Sequence, residues 1–142
     1  MAKADVGKRV LAYIIDCVIA TVICLVVVAV SFVIFMMGIL TDSALSCLTS
    51  LVYVIGLFVG LALGFGYELL RDGFFGGRSL GKKLMGLKVV NTKTGKPCSI
   101  KDSILRNITL LIPIVNLIEL IMPFIDDGGL RLGDKLAGTK VE

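Results

Sequence analysis

Two long uncharged runs dominate the chain. Cys17 to Leu40 holds no charged residue, and a span of more than ~18 apolar residues reads as a membrane-crossing helix. The first helix is expected at about 10–40, near ~45 Å at 1.5 Å per residue. That exceeds the ~30 Å hydrocarbon core, so the helix must tilt or protrude. After a short turn at Thr41-Asp42-Ser43, a second helix is expected at about 45–70. Within it Gly56, Gly60 and Gly64 recur every four residues, a spacing that lets helix backbones approach closely in lipid. The glycine stripe is expected to pack against the first helix or a second subunit.

A polar, basic segment at 71–103 follows. In it Ser79 can cap a short helix at Leu80–Met85, Leu87-Lys88-Val89-Val90 alternates like a strand, and Asn91–Pro97 reads as a turn. Ser99 can cap the next helix, with Asp102 in its first turn. The third apolar stretch, at about 104–125, is interrupted by Pro113, Asn116, Glu119 and Pro123. A proline removes a backbone donor and bends a helix. Two shapes fit: a bent third span, or two short helices hinged near Pro113–Asn116 that dip in and return. The tail is 126–142.

An internal repeat weighs on that choice. Leu80-Gly81-Lys82-Lys83-Leu84-Met85-Gly86-Leu87-Lys88-Val89 recurs without a gap as Leu132-Gly133-Asp134-Lys135-Leu136-Ala137-Gly138-Thr139-Lys140-Val141. Repeated sequence implies repeated structure, and both copies end in a strand-like Lys-Val. The two ends are expected to pair on one side of the membrane, which favours the returning hairpin. The expected fold is an all-α membrane protein, one domain over 1–142, with two transmembrane helices, a proline-broken re-entrant or third membrane segment, and a small cytoplasmic two-strand pairing.

Composition agrees: the 142 residues are 56% hydrophobic, with mean hydropathy +0.96. The first apolar run is far longer than the ~7–15 residues of a signal-peptide core, so it is expected to stay in the membrane. Lysine and arginine precede the first helix and crowd the segment after the second, whereas Asp42 and its neighbours carry none. The positive-inside rule then sets the N-terminus and the basic segment in the cytoplasm, with the tail beside them. Such a surface attracts anionic lipid headgroups at about 1 kcal/mol per residue. Nucleic acid is not expected as a partner, since aromatic interleaving is missing. The four cysteines, Cys17, Cys24, Cys47 and Cys98, show no paired spacing and read as apolar fillers. Histidine is absent. No metal site, cofactor or enzymatic activity is expected.

The candidate chemistry lies in charges at membrane depth. Asp16 follows Arg9 by two helical turns, roughly 10 Å along the axis, on nearly the same face, with Ala12 and Ala20 flanking it. A carboxylate at that depth costs a few kcal/mol unless it is paired, protonated or wetted. Glu68 is expected near the level of Arg9, and Arg106 enters the third apolar stretch. The repeat swaps Lys82 for Asp134, which suggests a cross-copy salt bridge or two walls of one polar cleft. Arg9, Asp16, Glu68, Lys82, Arg106 and Asp134 thus form an expected charge network, serving either transport or helix register.

Arg9, Asp16 and Asp134, with Ser79–Val90, Leu105-Arg106-Asn107 and Arg131–Val141, resemble the RDD family of small bacterial membrane domains, named for one arginine and two aspartates. In that resemblance Arg9 opens the first helix, Asp16 lies within it, and Asp134 is the second aspartate. The match covers almost the whole chain. It departs at Leu80, where the family often has proline, and at Arg71-Asp72, an unusual pair. The resemblance implies a bacterial inner-membrane protein and transport of sodium or protons, with no single substrate. A chain this short is expected to act as a homo-oligomer. The competing expectation is a non-catalytic module that docks partner proteins or anionic lipid through its basic segment.

Overall fold

The computed structural model describes residues 5–41, 43–126 and 128–142. Lys3 and Asp42, on which part of the charge asymmetry rests, lie outside the described residues. Helix α1 runs Val6–Thr41 and α2 runs Ser43–Phe74. Both are long and apolar enough to cross a membrane. Each exceeds its expected bounds, and α2 does so in a way that matters, since its last turns carry Arg71 and Asp72. The polar segment therefore begins as helix.

The chain divides into two compact units, one of residues 18–67 and the other of residues 1–17 with 68–142. In the first, α1 and α2 pack antiparallel along the glycine stripe. A Cβ on Gly56 would fall 1.8 Å from Ser31 Oγ, one on Gly60 would fall 3.2 Å from the Cys24 carbonyl, and one on Gly64 would touch the Ala20 carbonyl at 3.5 Å. The stripe thus lies against the first helix, where close backbone approach drives association in lipid. Phe35 stacks on Tyr53 in the same unit, centroids 5.3 Å apart.

The second unit holds the remaining elements: α3 (Leu80–Leu84), β1 (Val89–Asn91), α4 (Ile100–Asn107) running into a 3-10 turn (Ile108–Leu111), α5 (Pro113–Ile125), α6 (Leu132–Ala137) and β2 (Thr139–Val141). Ser79 caps α3, and Ser99 caps α4 in a reciprocal capping box with Asp102. The pair formed by α4 with its 3-10 turn and α5 bends by 111°. Its cause is local: the residue before a proline is pushed out of the helical region, and Ile112 sits at φ −94°, ψ 112° ahead of Pro113.

β1 and β2 pair antiparallel, with Val89 opposite Val141. These are equivalent positions of the repeat, so the two copies meet about a local two-fold. Their environments agree as well. Nine of the ten paired positions share the same degree of burial, which makes the repeat structural as well as textual. Gly86 and Gly138, again equivalent, close α3 and α6 in the left-handed conformation at φ +70° and +61°, as glycine does past a helix end.

Candidate functional site

The repeat places two glycines against two helices. A Cβ on Gly81 would fall 2.2 Å from the Ala12 carbonyl of α1, and one on Gly133 would fall 1.9 Å from the Arg106 carbonyl of α4. Only glycine fits, and the approach aims each backbone N–H at a buried carboxylate. Gly81 N–H donates to Asp16 Oδ1 at 2.8 Å; Gly133 N–H donates to Glu119 Oε1 at 2.6 Å. Ser79 Oγ–H donates to the other oxygen of Asp16, and Thr109 Oγ1–H adds a bond to Glu119 Oε1 at 2.7 Å. Each copy of the repeat thus gives one glycine N–H to a buried carboxylate, Asp16 on α1 and Glu119 on α5, while Ser79 and Thr109 add their bonds from outside the repeat.

Ion pairs join the other charges in two groups. In one, Arg71 lies 2.8 Å from Glu68 and 3.8 Å from Asp16, with its guanidinium 5.4 Å over the ring of Tyr13. In the other, Lys82 pairs with Asp72, Arg106 reaches Asp72 at 3.4 Å and Asp134 at 2.8 Å, Arg9 meets Asp134 at 3.0 Å, and Arg131 stands 3.8 Å from both Glu119 and Asp134. Arg9 also donates to the Gly129 carbonyl. Together the groups hold five cations and five carboxylates, so with every member charged the network is neutral.

The six charges expected from the sequence all lie in this network, but with other partners. Arg9 pairs with Asp134, because two turns of helix separate it from Asp16 and its long side chain reaches the tail instead. Glu68 pairs with Arg71. The swapped positions Lys82 and Asp134 do not meet directly; Asp72 and Arg106 stand between them. Sequence reasoning missed Arg71, Asp72, Glu119 and Arg131 as members. For Glu119 a signal existed: if Gly81 answers Asp16, its equivalent Gly133 needs an acid too, and Glu119 is the acid inside the third apolar stretch.

Burial and neighbours set the protonation of groups outside the two long helices. Loss of solvation pushes the Lys82 ammonium down to about 7, against the pull of Asp72. Burial disfavours the Asp134 carboxylate, yet Arg106, Arg131 and Arg9 outweigh it and hold the group below the usual range. The Cys98 thiol is pushed up to about 11 by burial.

Beside the network lies a cavity of about 40 Å³, lined by Arg9, Tyr13, Asp16, Arg71, Lys82, Asn116, Glu119 and Arg131 among others. It is room for about three or four waters at ~10–15 Å³ each. Tyr13 OH donates to Asn116 Oδ1 at 3.0 Å across its wall. Among the described residues no cluster of three or more His, Cys, Asp or Glu could hold a metal ion.

Long apolar helices, a bent helix pair and a buried ion-pair network define a small helical membrane protein. Residues 3–138 match the model of the RDD family, and the chain belongs to that family. Neither curated proteins nor solved structures give a match.

Proposed function

We propose that the protein moves a small ion, sodium or a proton, across the bacterial cell membrane as a homo-oligomer, with Asp16 and the charge network forming the site. One observation carries the reading: a small cavity is walled by Asp16, Glu119 and four cationic side chains set among apolar ones, in a chain whose long helices are otherwise apolar. Intramembrane ionisable groups are costly and commonly mark ion or proton paths. In this reading the N-terminus, the basic segment and the tail face the cytoplasm. The β1–β2 pairing supports that orientation, as it keeps the tail beside the basic segment. The test is reconstitution of the full chain and its Asp16→Asn variant in proteoliposomes with a pH-sensitive dye inside. Ion-driven pH change should be lost in the variant, and unaltered flux would remove Asp16 from the mechanism.

A second reading has its own observation. Leu84 and Leu136, equivalent in the repeat, are 70% and 61% exposed, each next to an exposed lysine, Lys83 and Lys135. A leucine beside a lysine suits the headgroup boundary of an anionic bilayer, as a lipid-docking module would need. Under this reading Arg9→Ala and Asp134→Ala lower thermostability and oligomer content, while the purified protein shows no flux under any ion gradient.

A further inference from the structure

We infer that the ion is a proton and that Glu119 holds it, as the counterpart on α5 of Asp16 on α1. This rests on the transport reading for its purpose, but the protonation itself is measurable without transport. The pseudo-two-fold of the repeat supplies the first argument. Gly81 and Gly133 occupy the same repeat position, and each gives its N–H to one of these two carboxylates. Both carboxylates line the same cavity. Sites at the junction of internal repeats are a recurring plan among transporters.

The two acids are nevertheless not equal, and their difference selects Glu119. Asp16 has both oxygens occupied, one by Gly81 N–H and the other by Ser79 Oγ–H with Arg71 nearby. Asp134 is flanked by Arg9, Arg106 and Arg131, Asp72 by Lys82 and Arg106, and Glu68, which is not among the residues lining the cavity, lies 2.8 Å from Arg71. Protonating any of these four breaks close charge contacts. Glu119 is 1% exposed. Its Oε1 takes both hydrogen bonds, while Oε2 receives none and has Arg131 Nε at 3.8 Å as its ion-pair contact. A proton on Oε2 therefore leaves Oε1 as the acceptor of both hydrogen bonds and gives up only the 3.8 Å contact with Arg131, which keeps Asp134 as a partner.

The lining argues for a proton over a metal cation. Arg9, Arg71, Lys82 and Arg131 all border the cavity, and their charge repels a second cation that must stay ionised. A proton differs because it neutralises the carboxylate it joins. In the step itself a hydronium in the cavity loses an O–H bond, leaving water, as the new O–H bond forms at Oε2. Release reverses it.

Infrared difference spectroscopy on the full chain in liposomes tests this directly. Acidification should raise the carbonyl stretch of a protonated carboxyl. Uniform labelling with 13C-glutamate should move that band, labelling with 13C-aspartate should not, and it should be missing in Glu119→Gln but kept in Glu68→Gln. Gln retains a carbonyl for Gly133 and Thr109 but cannot take the proton. Proton flux in Glu119→Gln should fall to the level of protein-free vesicles. A band that follows aspartate label, survives Glu119→Gln, or is absent across the pH range overturns the inference. So does flux in Glu119→Gln equal to that of the unaltered chain. If Glu119→Gln fails to fold, the isotope experiments on the unaltered chain decide alone. Should the chain move no ion at all while the glutamate band is present, the transport reading fails and the assignment of the proton stands.

Discussion

Arg106 offers the sharpest test of the network as a physical object. It is fully buried and bridges Asp72 at 3.4 Å and Asp134 at 2.8 Å, so Arg106→Met leaves one carboxylate in excess among the remaining members. Removing one partner of a buried pair costs about 3–5 kcal/mol. The lower end applies here, because Asp134 keeps Arg9 and Arg131 while Asp72 keeps Lys82. For a chain of this size each kcal/mol moves the midpoint by ~2–4 °C, so the variant should melt on the order of 10 °C lower. Thermal unfolding in mild detergent, followed by circular dichroism, reads this. Adding Asp134→Asn restores the charge balance and should recover part of the loss, with a coupling of ~1 kcal/mol or more in the double-mutant cycle. A single-variant loss below ~1 kcal/mol, or strictly additive effects, would refute the bridging role.

Other outcomes follow from single positions. Lys82 loses its proton near 7 in the fold but near its ordinary 10.5 when unfolded, so between those values the unfolded chain binds more protons and stability rises with pH. Lys82→Met should flatten that rise in detergent melts between pH 7 and 9. Ser79→Ala removes both the cap of α3 and a donor to buried Asp16, and should cost ~1–3 kcal/mol by the same assay. Gly133→Ala would drive a methyl to 1.9 Å from the Arg106 carbonyl, so it should lower the yield of monodisperse protein on size exclusion far more than Gly86→Ala. Cys98, buried and with its thiol pushed up to about 11, should resist maleimide at pH 8 until SDS unfolds the chain, since the thiolate is the reactive form.

Much of this architecture was legible in the residues. The apolar runs gave both long helices, and the glycine spacing gave a close-packing face, though not whether it would meet the first helix or a second subunit. Two cap serines and the repeat gave α3, α4 and the pairing of β1 with β2. What periodicity could not supply was partnership. Arg71 and Asp72 read as the start of a basic loop because charge ends an apolar pattern, yet the helix continues to Phe74 and carries them inward with Glu68, at spacings of three and four residues. Arg9 and Asp16 share a face, but a face says nothing of which distant segment closes on it. Long arginine side chains choose partners in three dimensions, and here the choice fell to Asp134 in the tail. Glu119 was hidden by the same logic in reverse: a lone acid among prolines looks like an interruption until Gly133 is seen to face it.

The equal tally of positive and negative members has an electrical consequence. A resting membrane potential does about 2.3 kcal/mol of work per elementary charge for each 100 mV crossed, yet it exerts no net pull on an assembly whose charges cancel. With every member charged, moving the whole group as a unit through the field is then nearly free of voltage. Gaining or losing one proton at any member, Lys82 included, gives the group a net charge on which such a field does work.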